Sequence, residues 1–310
     1  IINGLLRRKT QQQLRFTKFK MKLLIVGGTG FIGKNLKIFF SKENSYEVYA
    51  PTRQELNLSD DVECSNYLKK LKPDFVVHSA VDINSVENSL KAFFNIFNNH
   101  ENFGHLVQIG SGAEYDKRRY HPLMTESHFS NSVPIDTYGV AKYSIANILE
   151  STNCKKFTNL RLFGIYGKFE DYSRRFISNN ICRVLSGFPL SMNKNMLFDY
   201  IYVDDFARFL QILLPQLPLT EVSYNFCSGK PVSFVYLAET IKKVMSVKAD
   251  IIIRNEGMNP EYSGDPSKLL NKFPEYSFTS YEENITNLVE FYKKTLTKDD
   301  IELFKGALSE

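Results

Sequence analysis

Residues 21–40 read MKLLIVGGTGFIGKNLKIFF, and this stretch decides the fold. An apolar run, Leu23 to Val26, stops at glycines. Phe31, Ile32, Leu36, Phe39 and Phe40 then recur at helical spacing. The reading is strand, tight turn, helix. Gly27, Gly30 and Gly33 fall in a G-x-x-G-x-x-G pattern. Such a turn needs a residue without a Cβ, a backbone that can approach a pyrophosphate, and a helix packed closely on its strand. The free N–H groups and positive dipole end of the helix then face phosphate. A dinucleotide site is expected here.

Working outward, YEVYAPTR (46–53) predicts the second strand. An acid about 20 residues past the last glycine is the usual ligand of an NAD ribose. That place holds Arg53, preceded by Thr52. A guanidinium can grip a 2′-phosphate bidentately, so NADP(H) is the expected cofactor and NAD the alternative. LKPDFVVHSA (71–80) and GHLVQIGS (104–111) predict two more strands, with the helical VENSLKAFFNIFNNH (86–100) between them. Strands alternating with helices imply an α/β fold with a doubly wound parallel sheet. Ligands of such a sheet lie at the carboxyl ends of its strands, and Ser111 ends one.

In IDTYGVAKYSIANILEST (135–152), Tyr138 and Lys142 stand on one helix face. A phenol titrating near 10 moves protons poorly at neutral pH. A neighbouring ammonium favours the phenolate, so Lys142 is expected to lower the pKa of Tyr138.

Taken together, GGTGFIG (27–33), IGSGAEY (109–115), YGVAK (138–142), NLRLFGIYG (159–167), FDYIYVDDFARFL (198–210) and YNFCSGKPVSFVYLAETI (224–241) resemble the extended short-chain dehydrogenase/reductase family. The likeness is to its nucleotide-sugar epimerase/dehydratase/reductase branch and covers about residues 21–290. TRQELNLSD (52–60) looks most like the corresponding stretch of the GDP-fucose synthases, which use NADPH. The resemblance implies a Rossmann domain over 21–167. A smaller C-terminal substrate lobe would lie over 168–300, with a stretch of about 199–245 returning to the Rossmann domain. It implies that Ser111 orients the sugar carbonyl or hydroxyl, that Tyr138 transfers the proton, and that Lys142 tunes Tyr138 and holds the nicotinamide ribose. Phe31, Ile32, Asn57, Leu58, Ser79, Ala80 and Phe163 would join the glycines, Thr52 and Arg53 around the cofactor. Ala113, Arg175 and Arg183 would face the substrate, a nucleotide-diphosphate sugar. Members commonly pair as homodimers through two helices per subunit.

The neighbours of Ser111 narrow the reaction. Sugar 4,6-dehydratases of this branch carry Asp-Glu where Gly112 and Ala113 stand here, and Glu114 is one place late. On an extended strand end its side chain should point away. The cysteine and histidine with which a GDP-fucose synthase epimerises flanking carbons correspond to Ala113 and Arg175. Phe198 replaces an arginine that usually grips the diphosphate, with Lys194 a possible substitute, and Gly164 replaces an asparagine. Asp204 and Asp205 are read as helix caps.

The composition agrees with a globular enzyme. Of 310 residues 43% are apolar, and no run is long enough to span a membrane. Six of the 39 lysines and arginines fall in residues 1–20 beside no acid, so the net charge of +5 belongs to that tail. The near-neutral remainder argues against a nucleic-acid partner. The tail reads as read-through of an untranslated leader, or a cloning remnant, ahead of a natural start at Met21 or, alternatively, as a transit peptide or basic arm. Residues 301–310 carry no motif. The four cysteines form no C-x-x-C pair, and the five histidines share no metal-ligand spacing. No metal, no membrane contact and a reducing cytoplasm are expected.

The expectation is an NADPH-dependent reductase of the C4 ketone of a nucleotide-linked 4-keto-6-deoxy sugar. An NAD(P)-dependent 4-epimerase would use the same Ser111, Tyr138 and Lys142. A non-catalytic dinucleotide-binding relative is the third reading.

Overall fold

The computed structural model describes residues 20–152, 154–297 and 299–300; the basic stretch 1–19 and the tail 301–310 lie outside the described residues. Strands β1 (Met21–Val26), β2 (Tyr46–Tyr49), β3 (Phe75–His78), β4 (His105–Ser111) and β5 (Phe157–Leu162) alternate with helices α1 (Phe31–Phe40), α2 (Asp61–Leu71), α3 (Val86–Phe97) and α4 (Thr137–Ser151). They are followed by β6 (Gly164–Tyr166), α5 (Phe176–Leu185), β7 (Leu190–Met192), β8 (Leu197–Phe198), β9 (Tyr200–Tyr202), α6 (Val203–Leu213) and β10 (Ser223–Phe226). The chain ends with β11 (Val232–Ser233), α7 (Phe234–Met245), β12 (Ile251–Ile253), α8 (Ser267–Leu270) and α9 (Tyr281–Thr295).

Six strands form one parallel sheet in the order β2-β1-β3-β4-β5-β10. The order reverses at β1, which places the ligand crevice beyond the ends of β1 and β3. Successive side chains of β1 alternate faces. Leu23 and Ile25 meet Leu36 and Phe40 of α1 and Phe206 and Phe209 of α6. Leu24 and Val26 meet Leu68, Phe93 and Leu149 from the helices on the other side. With both faces covered, all seven residues of β4 are buried. Each fully buried Leu or Phe on these faces contributes roughly 1.5–3 kcal/mol.

A second core joins α5, α7 and α9 through Ile181, Leu237, Ile241, Ile285 and Leu288. This is the C-terminal lobe. The stretch that rejoins the sheet ends at Phe226, short of residue 245, because the apolar face of α7 packs on α9 and α5. Asp204 and Asp205 are not caps: Tyr202 holds that position and both acids lie in the first turn of α6. Buried Asp205 accepts from Thr279, Arg208 and Asn284 and so ties α6 to the segment before α9.

Candidate active site

A cavity of about 1150 Å³ runs from the glycine turn to the lobe. At its Rossmann end the turn leaves no room for side chains. Gly27 has φ +81°, and a Cβ there would stand 2.7 Å from the Ala80 nitrogen. A Cβ on Gly33 would stand 2.2 Å from the Gly27 carbonyl. Ser79 locks the neighbouring strand end by donating its hydroxyl to Val26 O at 2.8 Å. No side chain caps α1 at Gly30, so the N–H groups of its first turn are free toward the cavity that Phe31 and Ile32 line. This cradle fits a dinucleotide pyrophosphate.

Asn57, Leu58 and Arg53 line the same end. Glu55 turns back on its own loop and accepts from the Thr52 N–H at 2.7 Å. Thr52 is therefore occupied there and does not line the cavity. The carboxylate facing Arg53 is Asp82, held below the usual range chiefly by Asn88 and Asn84, with Arg53 adding to the effect.

At the centre, Ser111, Ala113, Tyr138 and Phe163 share the wall. Asp136 caps α4 by accepting from the Gly139 N–H at 2.9 Å. A Cβ on Gly139 would lie 2.9 Å from the Ala113 carbonyl. The first turn of α4 thus docks on the backbone after Ser111 and brings Tyr138 to it. Residues 112–114 form a 3-10 turn in which Ser111 accepts from Ala113 N–H, while Glu114 reaches back to the Ser111 N–H at 2.9 Å. Glu114 does point away from the cavity, but through this capping box rather than through strand alternation. Its carboxylate meets Arg161 Nε at 2.5 Å and Asn159 at 3.0 Å in the core beneath the sheet end.

Lys142, Tyr138 and Arg183 stand otherwise than expected. Lys142 is buried off the cavity wall, its Nζ donating to Ile109 O at 2.5 Å and lying 5.8 Å from the centre of the Tyr138 ring. Burial pulls Lys142 down to about 8 against the opposing pull of Glu114. The Tyr138 phenol is raised, not lowered: burial dominates, and the groups acting in the lowering direction are Ser111 and Arg175. Arg183 also lies off the wall. It is buried in the lobe, donates Nε to Pro189 O at 2.8 Å, and keeps one terminal nitrogen without a hydrogen-bond partner next to Arg254.

At the lobe end, Arg175 lines the cavity with Phe198, Tyr200, Asn259 and Tyr262. Sequence reasoning missed Tyr120 and Tyr262, which sit in loops without periodicity. Among the described residues the wall holds no Cys, His or Glu; its carboxylates are Asp82 and Asp136, the latter capping α4 and paired with Lys117 at 3.2 Å. His121 and His128 meet Nε2 to Nε2 at 2.7 Å. Among the described residues no three His, Cys, Asp or Glu side chains group as a metal site, and no helix is long and apolar enough to cross a membrane.

The model of the NAD dependent epimerase/dehydratase family matches residues 23–225. GDP-6-deoxy-D-talose 4-dehydrogenase of Aggregatibacter actinomycetemcomitans is 28% identical over 89% of this chain and 98% of its own length. Two solved structures from Campylobacter jejuni share the fold. A GDP-D-glycero-L-gluco-heptose synthase, in the presence of NADPH, has a TM-score of 0.77 at 19% identity, covering 88% of this chain and 98% of that one. A GDP-mannoheptose C4 reductase with NADP bound has a TM-score of 0.74 at 21% identity over the same shares.

Proposed function

The chain belongs to the NAD-dependent epimerase/dehydratase family, and from that premise we propose that it uses NADPH to reduce the C4 ketone of a nucleotide-linked sugar, a GDP-4-keto-6-deoxy sugar foremost. The observation that carries this reading is the wall around Ser111. The Ser111 and Tyr138 hydroxyls share that wall, and among the described residues that line it none is a free base for the carbons flanking the ketone. Asp136 is engaged by Gly139 and Lys117, and Ala113 has no proton to move. Hydride transfer with one proton is the chemistry such a site serves. The GDP-sugar and C4 names among the relatives favour this substrate class.

When bound, the dinucleotide supplies the hydride. The protein's residues do the rest. Tyr138 gives its proton to the ketone oxygen, and its raised pKa keeps that proton in place at neutral pH. Ser111 donates a hydrogen bond to the same oxygen. Lys142 acts from behind, anchoring Ile109 and with it the strand end that carries Ser111. Arg53 takes the 2′-phosphate, and Arg175 faces the substrate diphosphate.

The test has two parts. Purified protein is denatured to identify any nucleotide it releases, and is then mixed with NADPH and GDP-4-keto-6-deoxy sugars. Consumption of NADPH with formation of the C4 alcohol is expected. Release of stoichiometric NAD+ with no net NADPH consumption would instead mark a 4-epimerase, which recycles its cofactor. Binding neither cofactor would sink both enzyme readings. A homodimer in the cytoplasm remains the expected setting.

A further inference from the structure

We propose that His121 and His128 form a two-imidazole site for a borderline divalent transition ion, Cu2+ or Zn2+, in the loop that carries Tyr120 to the cavity wall. The site is independent of the reaction proposed above.

The two rings belong to the loop between β4 and α4, and their Nε2 atoms meet at 2.7 Å. The opposite nitrogens decide where the hydrogens are. His121 Nδ1 lies 2.9 Å from Pro122 O. His128 Nδ1 lies 3.3 Å from Thr125 O and 3.0 Å from Thr125 Oγ1. That hydroxyl has a partner for its own hydrogen in Ser127 Oγ at 2.7 Å. A carbonyl oxygen only accepts, so each Nδ1 is assigned the hydrogen, and a neutral imidazole then has none at Nε2. Two lone pairs are therefore set against each other at hydrogen-bond distance, an arrangement that needs a cation.

The ring geometry favours a metal over a shared proton. A proton asks for a near-linear bridge along both ring axes. The ring centroids are only 4.2 Å apart with an interplanar angle of 64°. Two rings meeting end to end across the same nitrogen spacing would stand farther apart, so these are tilted off a common line. A metal takes its ligands at an angle. Two nitrogens about 2.0–2.1 Å from one ion and at right angles to each other stand about 2.9 Å apart, so an opening of about 0.2 Å admits it. The Nδ1–carbonyl contacts are the outer partners with which ligating histidines fix their tautomer and orientation. Imidazoles select Cu2+ or Zn2+ over Mg2+ or Ca2+. Glu126, in the same turn, is engaged by the Asn225 N–H at 2.8 Å. Among the described residues no third His, Cys, Asp or Glu joins the pair, so water completes the coordination.

The loop matters to the cavity. Between the two rings Leu123 takes φ +54°, unfavourable for a bulky side chain. The N–H groups of Leu123 and Met124 donate to Ser263 at 2.8 and 3.1 Å. Just ahead of His121, Tyr120 lines the cavity and donates its hydroxyl to Gly112 O at 3.2 Å. An ion tying residue 121 to residue 128 closes this loop on itself and holds Tyr120 against the backbone that follows Ser111.

The test titrates the chelator-treated full chain with CuCl2 and with ZnCl2. One equivalent of Cu2+ should bind. In protein carrying [15N]histidine, its paramagnetism should broaden the His121 and His128 ring signals ahead of those of His78, His100 and His105. His121→Gln and His128→Gln, which also assign the signals, should each weaken binding by more than the roughly tenfold that losing even an outer partner costs. His100→Gln should leave it unchanged. Saturating Zn2+ should raise the unfolding temperature of the parent and not of either variant. The broadening is read on the unmodified protein, so it decides even where a variant fails to fold. Binding that survives in folded His121→Gln, or broadening spread over the other histidines, marks an adventitious ion only and overturns the inference. Ring signals that titrate with pH yet answer to neither metal would assign the pair a proton alone and overturn it too.

Discussion

Gly164 lies flat against the ring of Phe198: a Cβ built on Gly164 would stand 2.3 Å from the ring's Cε1 and 2.6 Å from the Asp199 carbonyl. The two departures from the family pattern that stood apart in the sequence, a glycine for an asparagine and a phenylalanine for an arginine, are thus one packing solution. Gly164→Ala should destabilise the protein by about 1–3 kcal/mol through overpacking. Phe198→Ala in the same chain should recover part of that loss, the remainder being the fixed carbonyl of Asp199. Urea unfolding of the two single variants and the double variant measures the coupling, and strict additivity would mean the ring does not feel residue 164.

On the proposed reading, Arg53 is the residue that sets the cofactor preference. Arg53→Ala should weaken NADPH binding by roughly tenfold or more, the worth of a charge-assisted hydrogen bond, and leave NADH binding nearly unchanged. Fluorescence titration with both cofactors decides it. Equal losses for the two would assign Arg53 to some other part of the site.

Glu114 and Arg161 form an ion pair at the back of Ser111, with side chains only 1% and 0% exposed. Glu114→Ala leaves the buried Arg161 guanidinium to its second carboxylate, the partly exposed Glu150, and should cost about 3 kcal/mol in urea unfolding, the low end for a broken buried pair. Glu114→Gln keeps an acceptor for the Ser111 N–H and should cost less. If Glu114→Ala unfolds like the parent, the pair is dispensable.

Glu170 is buried beside Gly167 and Ser178, and burial raises it to about 7 against the opposing pull of Ser178, Gly167 and Arg175. A folded pKa above the unfolded one means that the native state binds the proton more tightly. The associated stability is complete below about pH 4.5 and is lost as the pH rises through 7. His78 and His105, both depressed to about 4 by burial, act oppositely: their contribution is present above pH 6.5 and lost as the pH falls toward 4. Unfolding free energies of Glu170→Gln and the parent from pH 5 to 8 separate the two. The difference should shift by about 3 kcal/mol across the range, and a constant difference would show that Glu170 does not titrate there.

How much could be read beforehand followed the range of the interactions. The sheet was legible because each strand and its turn is local: Leu23 to Val26, then three glycines, says strand and phosphate turn with no knowledge of the rest. Ser111 and Tyr138 were legible as a strand end and a helix start. Arg183 and Lys142 were misplaced because burial, not type or spacing, decides where a long cation ends. Lys142 found the Ile109 carbonyl and Arg183 the Pro189 carbonyl. Tyr262 carries no periodic signal and reaches Gly112 only through tertiary folding. Thr52 was lost to a local contest with Glu55 that a helix-or-strand pattern cannot show.

The edge strand β10 is laid beside β5 only after the chain has made α5, β7 and α6. Cutting after residue 167 would therefore not release a free-standing nucleotide-binding half. Leu160 and Leu162 pack in the same core as Phe206, Phe209 and Phe226 and would be laid bare by the cut. The two lobes should melt as one cooperative unit, and ligand binding at either end should protect both from protease. For anyone wishing to exchange the sugar-recognising part between relatives, the consequence is practical. The graft must be made loop by loop, because no single crossover point separates the two.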